Sequence, residues 1–265
     1  MIGIIGGSGI YDPTMLKDAR DLEVNTPFGS VNITVGMYGE KDMAFLPRHG
    51  SSHSVPPHLI NYRANIWALH SIGVERIVST SASGSLNASI SPGSFVVLSN
   101  FLDFTKTRAN TFYDGSESII DDKDVVHIDV TQPYCPELRD ILIKTGKEQN
   151  LPIVGDGIYV CTEGPRFESA AEIKMFSRLG GDVVGMTNLP EVILARELEM
   201  CYSSIAMVTN YAAGISEKKL THKEVLDIME NNLGDIKLLL EGAIPKIPDK
   251  RSCQCSSLLD GAKGK

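Results

Sequence analysis

The fold class is decided by residues 170–209, which read AAEIKMFSRLGGDVVGMTNLPEVILARELEMCYSSIAMVT. An amphipathic stretch over 170–179 precedes a short apolar run over 182–185, and residues 190–200 and 203–209 repeat this order. Alternating helical and strand-like segments are typical of a sheet with helices packed against it. The stretch therefore predicts an α/β fold around a mostly parallel or mixed sheet.

The same alternation extends to both sides of this stretch. Short apolar runs predict strands at 2–5, 31–35, 43–46, 74–80, 94–98 and 158–161, and helical periodicity predicts helices at 57–72, 137–148 and 221–240. A chain of 265 residues fits one large domain. We expect this domain to span residues 1–245. The polar tail over 246–265 has little pattern, and we expect it to be partly mobile.

Composition and charge narrow the class of partner. The net charge of −8 disfavours binding to nucleic acid or to anionic membranes. The N-terminal residues MIGIIGGSGIYDP lack the basic region of a signal peptide, and no apolar run is long enough to span a membrane. The expectation is a cytoplasmic protein.

The five cysteines offer no obvious metal motif. Cys135, Cys161 and Cys201 stand alone among apolar neighbours, which is typical of small core residues. Cys253 and Cys255 form a C-x-C pair that is too short and solitary for an ordinary zinc motif. Two interpretations remain open for this pair, a local disulfide and two exposed thiols on a loose tail.

Three polar clusters suit an oxyanion. Residues 6–9, GGSG, follow the first strand, and glycines with a hydroxyl can surround phosphate, although an ordinary tight turn has the same composition. Arg48 and His49 follow the strand at 43–46, where an arginine can bind phosphate or form a surface salt bridge. Residues 80–85, TSASGS, read either as a ligand site at a strand end or as a serine-rich turn.

Three further clusters of polar and aromatic residues accompany these candidate oxyanion sites. Residues 163–168 hold an aromatic ring and two carboxylates, residues 185–188 read GMTN, and residues 209–214 read TNYAAG. Each is ordinary by itself. Together, polar groups at strand ends with one aromatic residue and one methionine indicate a nucleoside pocket.

The motifs resemble the trimeric purine nucleoside phosphorylase and methylthioadenosine phosphorylase family. The segments that carry the resemblance are GGSG (6–9), TPFGS (26–30), RHGSSHSVPPHLINYRANIWAL (48–69), TSASGSL (80–86), PGSFVV (92–97), TFYDG (111–115), EGPRFES (163–169) and MTNLPEVILARELEMCYSSIAMVTNYA (186–212). The resemblance implies a single-domain phosphorylase fold with a central mixed sheet flanked by helices. It also implies phosphorolysis with inorganic phosphate as a co-substrate, without a cofactor or a metal.

The resemblance assigns roles position by position. The phosphate-site residues are Ser8, Arg48, His49, Ser81, Ala82 and Thr187. Met186 resembles the residue against the ribose, and Phe167 the aromatic that stacks on the base. His127 resembles a histidine that this family lends to the neighbouring subunit, which implies a homotrimer or a dimer of trimers.

Departures from the methylthioadenosine pattern point to the substrate. Asn210 and Ala212 stand where those relatives have aspartates that receive the 6-amino group of adenine. Glu168 can accept N1–H of a 6-oxopurine, and His222 resembles a histidine directed at the 5′-hydroxyl. With Asn210, these two residues are the catalytic candidates. The alternative for each is structural: a helix start for Glu168, a turn for Asn210 and a solvated helix face for His222.

The predicted activity is therefore phosphorolysis of inosine or guanosine. A methylthioadenosine or methylthioinosine phosphorylase is the close alternative. A non-catalytic nucleoside-binding protein and a nucleoside hydrolase are more distant alternatives.

Overall fold

The computed structural model describes residues 1–6, 15–50, 54–115, 125–216 and 222–262. In these ranges a single α/β unit contains nine strands in one sheet. The strands are β1 Ile2–Gly6, β2 Lys17–Thr26, β3 Gly29–Tyr38, β4 Lys41–Pro47, β5 Arg76–Ser85, β6 Phe95–Phe104, β7 Ile153–Thr162, β8 Val183–Gly185 and β9 Cys201–Tyr211. The helices are α1 Tyr62–Ser71, α2 Pro136–Glu148, α3 Ala170–Arg178, α4 Asn188–Glu197 and α5 His222–Ala243. The predicted α/β class and mixed sheet are confirmed.

The sheet consists of an open part, formed by β2, β3, β4 and β1, and a closed part formed by the other five strands. Its order is β2-β3-β4-β1-β5-β8-β7-β6-β9, and β9 also pairs with β5, so the last five strands form a ring. Strand β5 is parallel to β1 and β9 but antiparallel to β8. The ring brings the ends of β5, β7, β8 and β9 to one edge, because Gly84 pairs with both Val184 and Asn210 while Cys161 pairs with Gly185.

Strand β5 is longer than the sequence predicted. The prediction ended the strand at Thr80 and assigned TSASGS to a strand end, whereas β5 continues to Ser85. Small hydroxyl side chains fit here because they are buried between neighbouring strands. The extension is held by parallel pairing with β9, in which Ser81 is opposite Ala206 and Ser85 opposite Tyr211.

Two other differences have local causes. Helix α1 begins at Tyr62 rather than at residue 57, because the side chain of Asn61 caps the amide of Ala64 at 3.1 Å and a separate 3₁₀ turn precedes it. Strand β2 was not predicted, since its residues are largely charged and exposed. It is held at the edge by antiparallel pairing with β3.

Two large apolar clusters lie on the sheet. One involves α1 and α4, and the other α2, α5 and the start of the C-terminal tail, where Ile247 and Cys255 are buried. The interpretation of Cys253 and Cys255 as two exposed thiols is wrong, because Cys255 is buried and Cys253 half-buried. Among the helices in the described ranges, none has the length and apolar character needed to cross a membrane.

Candidate active site

Arg48 lies where three strands meet. Directly after β4, its backbone N–H donates to the carbonyl of Gly6 at the end of β1, at 3.1 Å. Its Nη1 donates to the carbonyl of Thr80 in β5 at 2.8 Å. The residue therefore lies beside Gly6, the first residue of the GGSG motif. Ser8 itself lies outside the described residues.

The guanidinium of Arg48 forms a buried ion pair with Glu191. Nε and Nη2 donate to the two carboxylate oxygens, both at 2.8 Å, in a bidentate arrangement. The side chains of Arg48 and Glu191 are 2% and 0% exposed. Burial alone lowers the pKa of Arg48, but the charge and hydrogen bonds of Glu191 outweigh it and raise that pKa above its usual value. The guanidinium of the pair thus stays fixed and protonated.

This ion pair differs from the predicted surface salt bridge and leaves the arginine partly available. A guanidinium carries five N–H donors, and three of them face Glu191 and Thr80. Within the described ranges, one N–H on Nη1 and one on Nη2 remain for an anion. The role of Arg48 in phosphate binding stays a prediction.

His49 is half-buried, and its ring is fixed by the chain that follows it. Its Nδ1 lies 2.8 Å from the carbonyl oxygen of Val55. A carbonyl only accepts, so Nδ1 carries the proton, and Nε2 carries a second proton only in the charged ring. The contact with Val55 therefore fixes the orientation of the ring.

The remaining phosphate candidates lie on β5 and at the start of α4. Ser81 is buried beside Ser83, with their hydroxyl oxygens 3.4 Å apart, and Ala82 is half-buried between them. Thr187 is the N-cap residue of α4, and its backbone N–H donates to the hydroxyl oxygen of Tyr159 at 3.4 Å. Because Glu191 belongs to the first turn of α4, the Arg48 pair and Thr187 are close along the same helix.

Glu168 is held at the end of β7. The hydroxyl of Thr162 donates to its Oε1 at 2.6 Å and lies 3.4 Å from the carbonyl of Gly185. Met186 follows that glycine, and a Cβ built on Gly164 would lie 2.6 Å from the sulfur of Met186. The loop that carries Glu168 therefore packs directly against the predicted ribose residue. Phe167 in the same loop is 50% exposed.

Asn210 lies across the strand ends from this loop. Its Oδ1 accepts from the hydroxyl of Thr209 at 2.8 Å, and its Nδ2 donates to the carbonyl of Tyr211 at 2.9 Å. A side-chain amide has two donors and two lone pairs, so one of each is still available. Ala212 is buried in a small apolar cluster with Val184.

The two predicted histidines have different outcomes. His127 is exposed, and its backbone N–H donates to the carbonyl of Ala262 in the C-terminal tail at 2.9 Å. It does not join the groups above within this one chain. His222 begins α5, and its side chain lies outside the described residues.

Sequence reasoning missed the residues that support the site. The sequence patterns assign no role to Glu191. A carboxylate inside the apolar run LPEVILA is nevertheless a signal of a buried partner. Tyr202 donates to Glu191 at 2.6 Å, and burial followed by the charge of Glu191 raises the pKa of Tyr202 well above its usual value. Arg108 donates to the carbonyls of Glu163 and Leu189 at 2.8 and 2.5 Å, and so connects the Glu168 loop to α4.

Comparisons with known proteins agree with this architecture. A family model described as the phosphorylase superfamily matches residues 1–245. A protein of Pyrococcus furiosus named 6-oxopurine nucleoside phosphorylase is 57% identical over 263 residues, which cover 99% of each chain. A protein of Methanothermobacter thermautotrophicus named probable S-methyl-5′-thioinosine phosphorylase is 49% identical, covering 99% of this chain and 90% of the relative.

Solved structures give the same assignment. Methylthioadenosine phosphorylase from Schistosoma mansoni in complex with adenine superposes with a TM-score of 0.92 at 34% identity, covering 99% of this chain and 98% of the other. The resemblance inferred from the motifs and the single-domain α/β phosphorylase fold are both confirmed. The chain belongs to the phosphorylase superfamily.

Proposed function

We propose that the protein is a 6-oxopurine nucleoside phosphorylase. It would convert inosine or guanosine and inorganic phosphate into the free base and ribose 1-phosphate. The similarity to the Pyrococcus furiosus protein, at 57% identity, supports the reaction class. The hydrogen-bonding capacity of Asn210 is the observation that carries the choice of base.

That capacity matches the base as it leaves the sugar. As the bond from C1′ to N9 breaks, its electrons move onto the purine, which is stabilised by a proton on N7. A 6-oxopurine in this state presents an acceptor at O6 and a donor at N7. Asn210 retains one N–H and one oxygen lone pair after its bonds to Thr209 and Tyr211. Adenine would present two donors, which suits a carboxylate better than an amide.

Glu168 supports the same choice. Its Oε2 is not used by Thr162, whose hydroxyl contacts Oε1. A carboxylate accepts N1–H of hypoxanthine or guanine, whereas N1 of adenine has a lone pair and would repel it. A site whose buried polar groups are left unpaired rejects the wrong substrate strongly.

Phosphate would serve as the nucleophile. The ribosyl group develops positive charge in the transition state, so a bound dianion next to C1′ stabilises that state and then forms the new C–O bond. The proposed phosphate ligands are Arg48, His49, Ser81, Ala82 and Thr187, with Ser8 expected from the sequence. No cofactor or metal enters this proposed reaction.

The proposal includes a trimer or a dimer of trimers in which His127 completes the neighbouring pocket. His127 is exposed in one chain, and so is Val125, at 62% exposure. Half of the Phe167 side chain is also exposed, as expected for a base-stacking residue whose pocket a second chain closes. Closed symmetry is the usual arrangement of soluble oligomers.

A methylthioinosine phosphorylase is the second candidate, and the base-facing residues do not exclude it. Methylthioinosine has the same 6-oxopurine as inosine and differs only at the 5′ carbon. The Methanothermobacter relative carries that name at 49% identity. His222 is the proposed discriminator, because a histidine can hydrogen-bond a 5′-hydroxyl but gains little from a thioether.

One substrate panel tests these proposals. Inosine, guanosine, adenosine, methylthioinosine and methylthioadenosine are each incubated with the enzyme, with and without phosphate, and kcat/KM is measured from base release. Inosine and guanosine should be preferred and should require phosphate. Preference for methylthioinosine would establish the second candidate, and preference for either adenine nucleoside would refute the role of Asn210. Cleavage without phosphate would indicate a hydrolase, and binding without cleavage a nucleoside-binding protein.

A further inference from the structure

Four of the five cysteines, which come from three separate segments of the sequence, lie close together in the fold. The sulfur atoms of Cys135, Cys201, Cys253 and Cys255 all lie within 4.8 Å of one another. Cys135 precedes α2, Cys201 begins β9, and the other two belong to the C-terminal tail. In the fold, the C-x-C pair therefore has two further cysteines beside it that its sequence neighbourhood lacks.

The spacing of these sulfurs suits a tetrahedral metal centre. Zinc bound by four thiolates has Zn–S distances of about 2.3 Å, which puts the sulfurs about 3.8 Å apart. The separation of 4.8 Å or less among all four, with Cys201 and Cys253 at 3.3 Å, is close to this arrangement. A single disulfide requires only one close pair, whereas here each sulfur is near the other three. Two disulfides would also bring four sulfurs together, and the intact mass of the protein distinguishes them from a metal site.

The surroundings favour negative charge. Cys135 is the residue before the first turn of α2, where the helix dipole stabilises a thiolate. The guanidinium of Arg196 interacts electrostatically with Cys135 and Cys255, and its Nη2 donates to the carbonyl of Asp129 at 2.7 Å. A centre of one divalent ion and four thiolates carries a net charge of −2, of which the buried arginine offsets one unit.

We propose that Cys135, Cys201, Cys253 and Cys255 form a structural zinc site. Each thiol loses its proton to solvent as zinc binds, so binding releases protons and no electron transfer is involved. The four-sulfur ligand set leaves no open position, as is usual for structural rather than catalytic zinc. The proposal concerns neither the substrate nor the reaction.

The site would fix the C-terminal tail to the body of the protein. Around it, Arg251 donates to the carbonyl of Glu199 at 2.8 Å, and Ser252 donates to Glu137 at 2.6 Å. Beyond it, the tail reaches the backbone of His127 through Ala262. Zinc would therefore hold the tail in place against the segment that carries this histidine.

The test is metal content. Full-length protein is purified with a reductant and zinc in the medium, dialysed against a weak chelator, and analysed by elemental mass spectrometry. We expect about one zinc per chain, with X-ray absorption showing sulfur neighbours at about 2.3 Å. Cobalt in place of zinc should give the intense visible absorption of tetrahedral thiolate sites.

Variants identify the ligands. Cys253→Ser and Cys255→Ser lie in the tail, so they should fold while losing most of the bound zinc and lowering the Tm. Cys161→Ser is the matched control, because Cys161 is a buried free cysteine outside the cluster, and it should retain the full zinc content. Wild-type protein without zinc under these conditions would overturn the proposal, whether its four thiols were free or paired in disulfides by intact mass. Equal zinc content in the wild-type and tail variants would also overturn it.

Discussion

The Arg48–Glu191 ion pair provides the sharpest test of the phosphate site. In Glu191→Gln the carboxylate becomes an amide of the same shape. One of its two acceptor oxygens is replaced by an NH2 group, which is a donor. That donor would face one of the two N–H groups, on Nε and Nη2 of Arg48, that donate to the carboxylate oxygens at 2.8 Å in the native protein. The guanidinium would remain buried with its charge uncompensated.

The loss of stability in Glu191→Gln follows from the burial of the pair. Removing one partner of a buried ion pair costs about 3–5 kcal/mol, because the remaining charge is left without compensation. For a domain of this size each kcal/mol lowers the Tm by about 2–4 °C, so the loss is about 6–20 °C. Glu148→Gln is the control, because Glu148 pairs with Lys246 at the surface with 63% exposure. Such exposed pairs contribute about 1 kcal/mol or less.

The decisive measurement is the response to phosphate. If the free N–H groups of Arg48 face the phosphate site, an uncompensated guanidinium should bind the anion more tightly. Phosphate at about 100 times its Kd stabilises a protein by about 2.7 kcal/mol. Thermal unfolding with and without phosphate should therefore show a larger phosphate-induced rise in Tm for Glu191→Gln than for wild type. Equal rises in both proteins would remove Arg48 from the phosphate site and make the pair purely structural.

Three further predictions concern the base, the neighbouring subunit and pH. Asn210→Asp should reduce kcat/KM for inosine at least tenfold and raise relative activity on adenosine, measured by base release; an unchanged ratio would contradict the role of the amide. His127→Ala should raise the KM for nucleoside without changing the proposed trimer or dimer of trimers, as measured by sedimentation, and a fully active monomer would refute a shared pocket. The hydrogen bond from Arg166, followed by that from the backbone of Ser169, lowers the pKa of Glu172 to about 2 from 4.5. Because this pKa is depressed on folding, the carboxylate stabilises the fold above pH 4.5, and the contribution fades as pH falls through about 2. Glu172→Gln should flatten the acid side of the stability profile, and an unchanged profile would refute this.

Local patterns predicted most of the fold, because they are properties of neighbouring residues. The alternation over residues 170–209 specifies two helices and two strands with bounds close to those of α3, β8, α4 and β9. Strand β2 was not predicted from the sequence, because it is held by pairing with β3 and its own composition is not that of a strand. The polar half of β5, residues 81–85, was not predicted for a related reason: hydroxyls normally indicate a turn, but here the segment is held as a strand by parallel pairing with β9.

Long-range partners could not be predicted in the same way. Arg48 and Glu191 are 143 residues apart, and nothing near Arg48 in the sequence indicates that its charge is already neutralised. The cysteines are a second example, since Cys201 and Cys253 are 52 residues apart and only the fold brings them together. Spacing along the chain detects metal motifs built from one segment, and this cluster is built from three.

The neutral Arg48–Glu191 pair has a consequence for how the proposed phosphorolysis would be driven. A strongly cationic cradle would bind the phosphate dianion tightly before the reaction, and tight ground-state binding does not lower the barrier. With the charge of Arg48 offset by Glu191, phosphate bound at the proposed site would be compensated mainly by hydrogen bonds from groups such as Ser81 and Thr187. Its uncompensated charge then has its strongest attraction to the ribosyl cation, which exists only as the bond to the base breaks. Glu191 would thus preserve the negative charge of phosphate for the transition state, while it holds Arg48 in a position to orient the nucleophile.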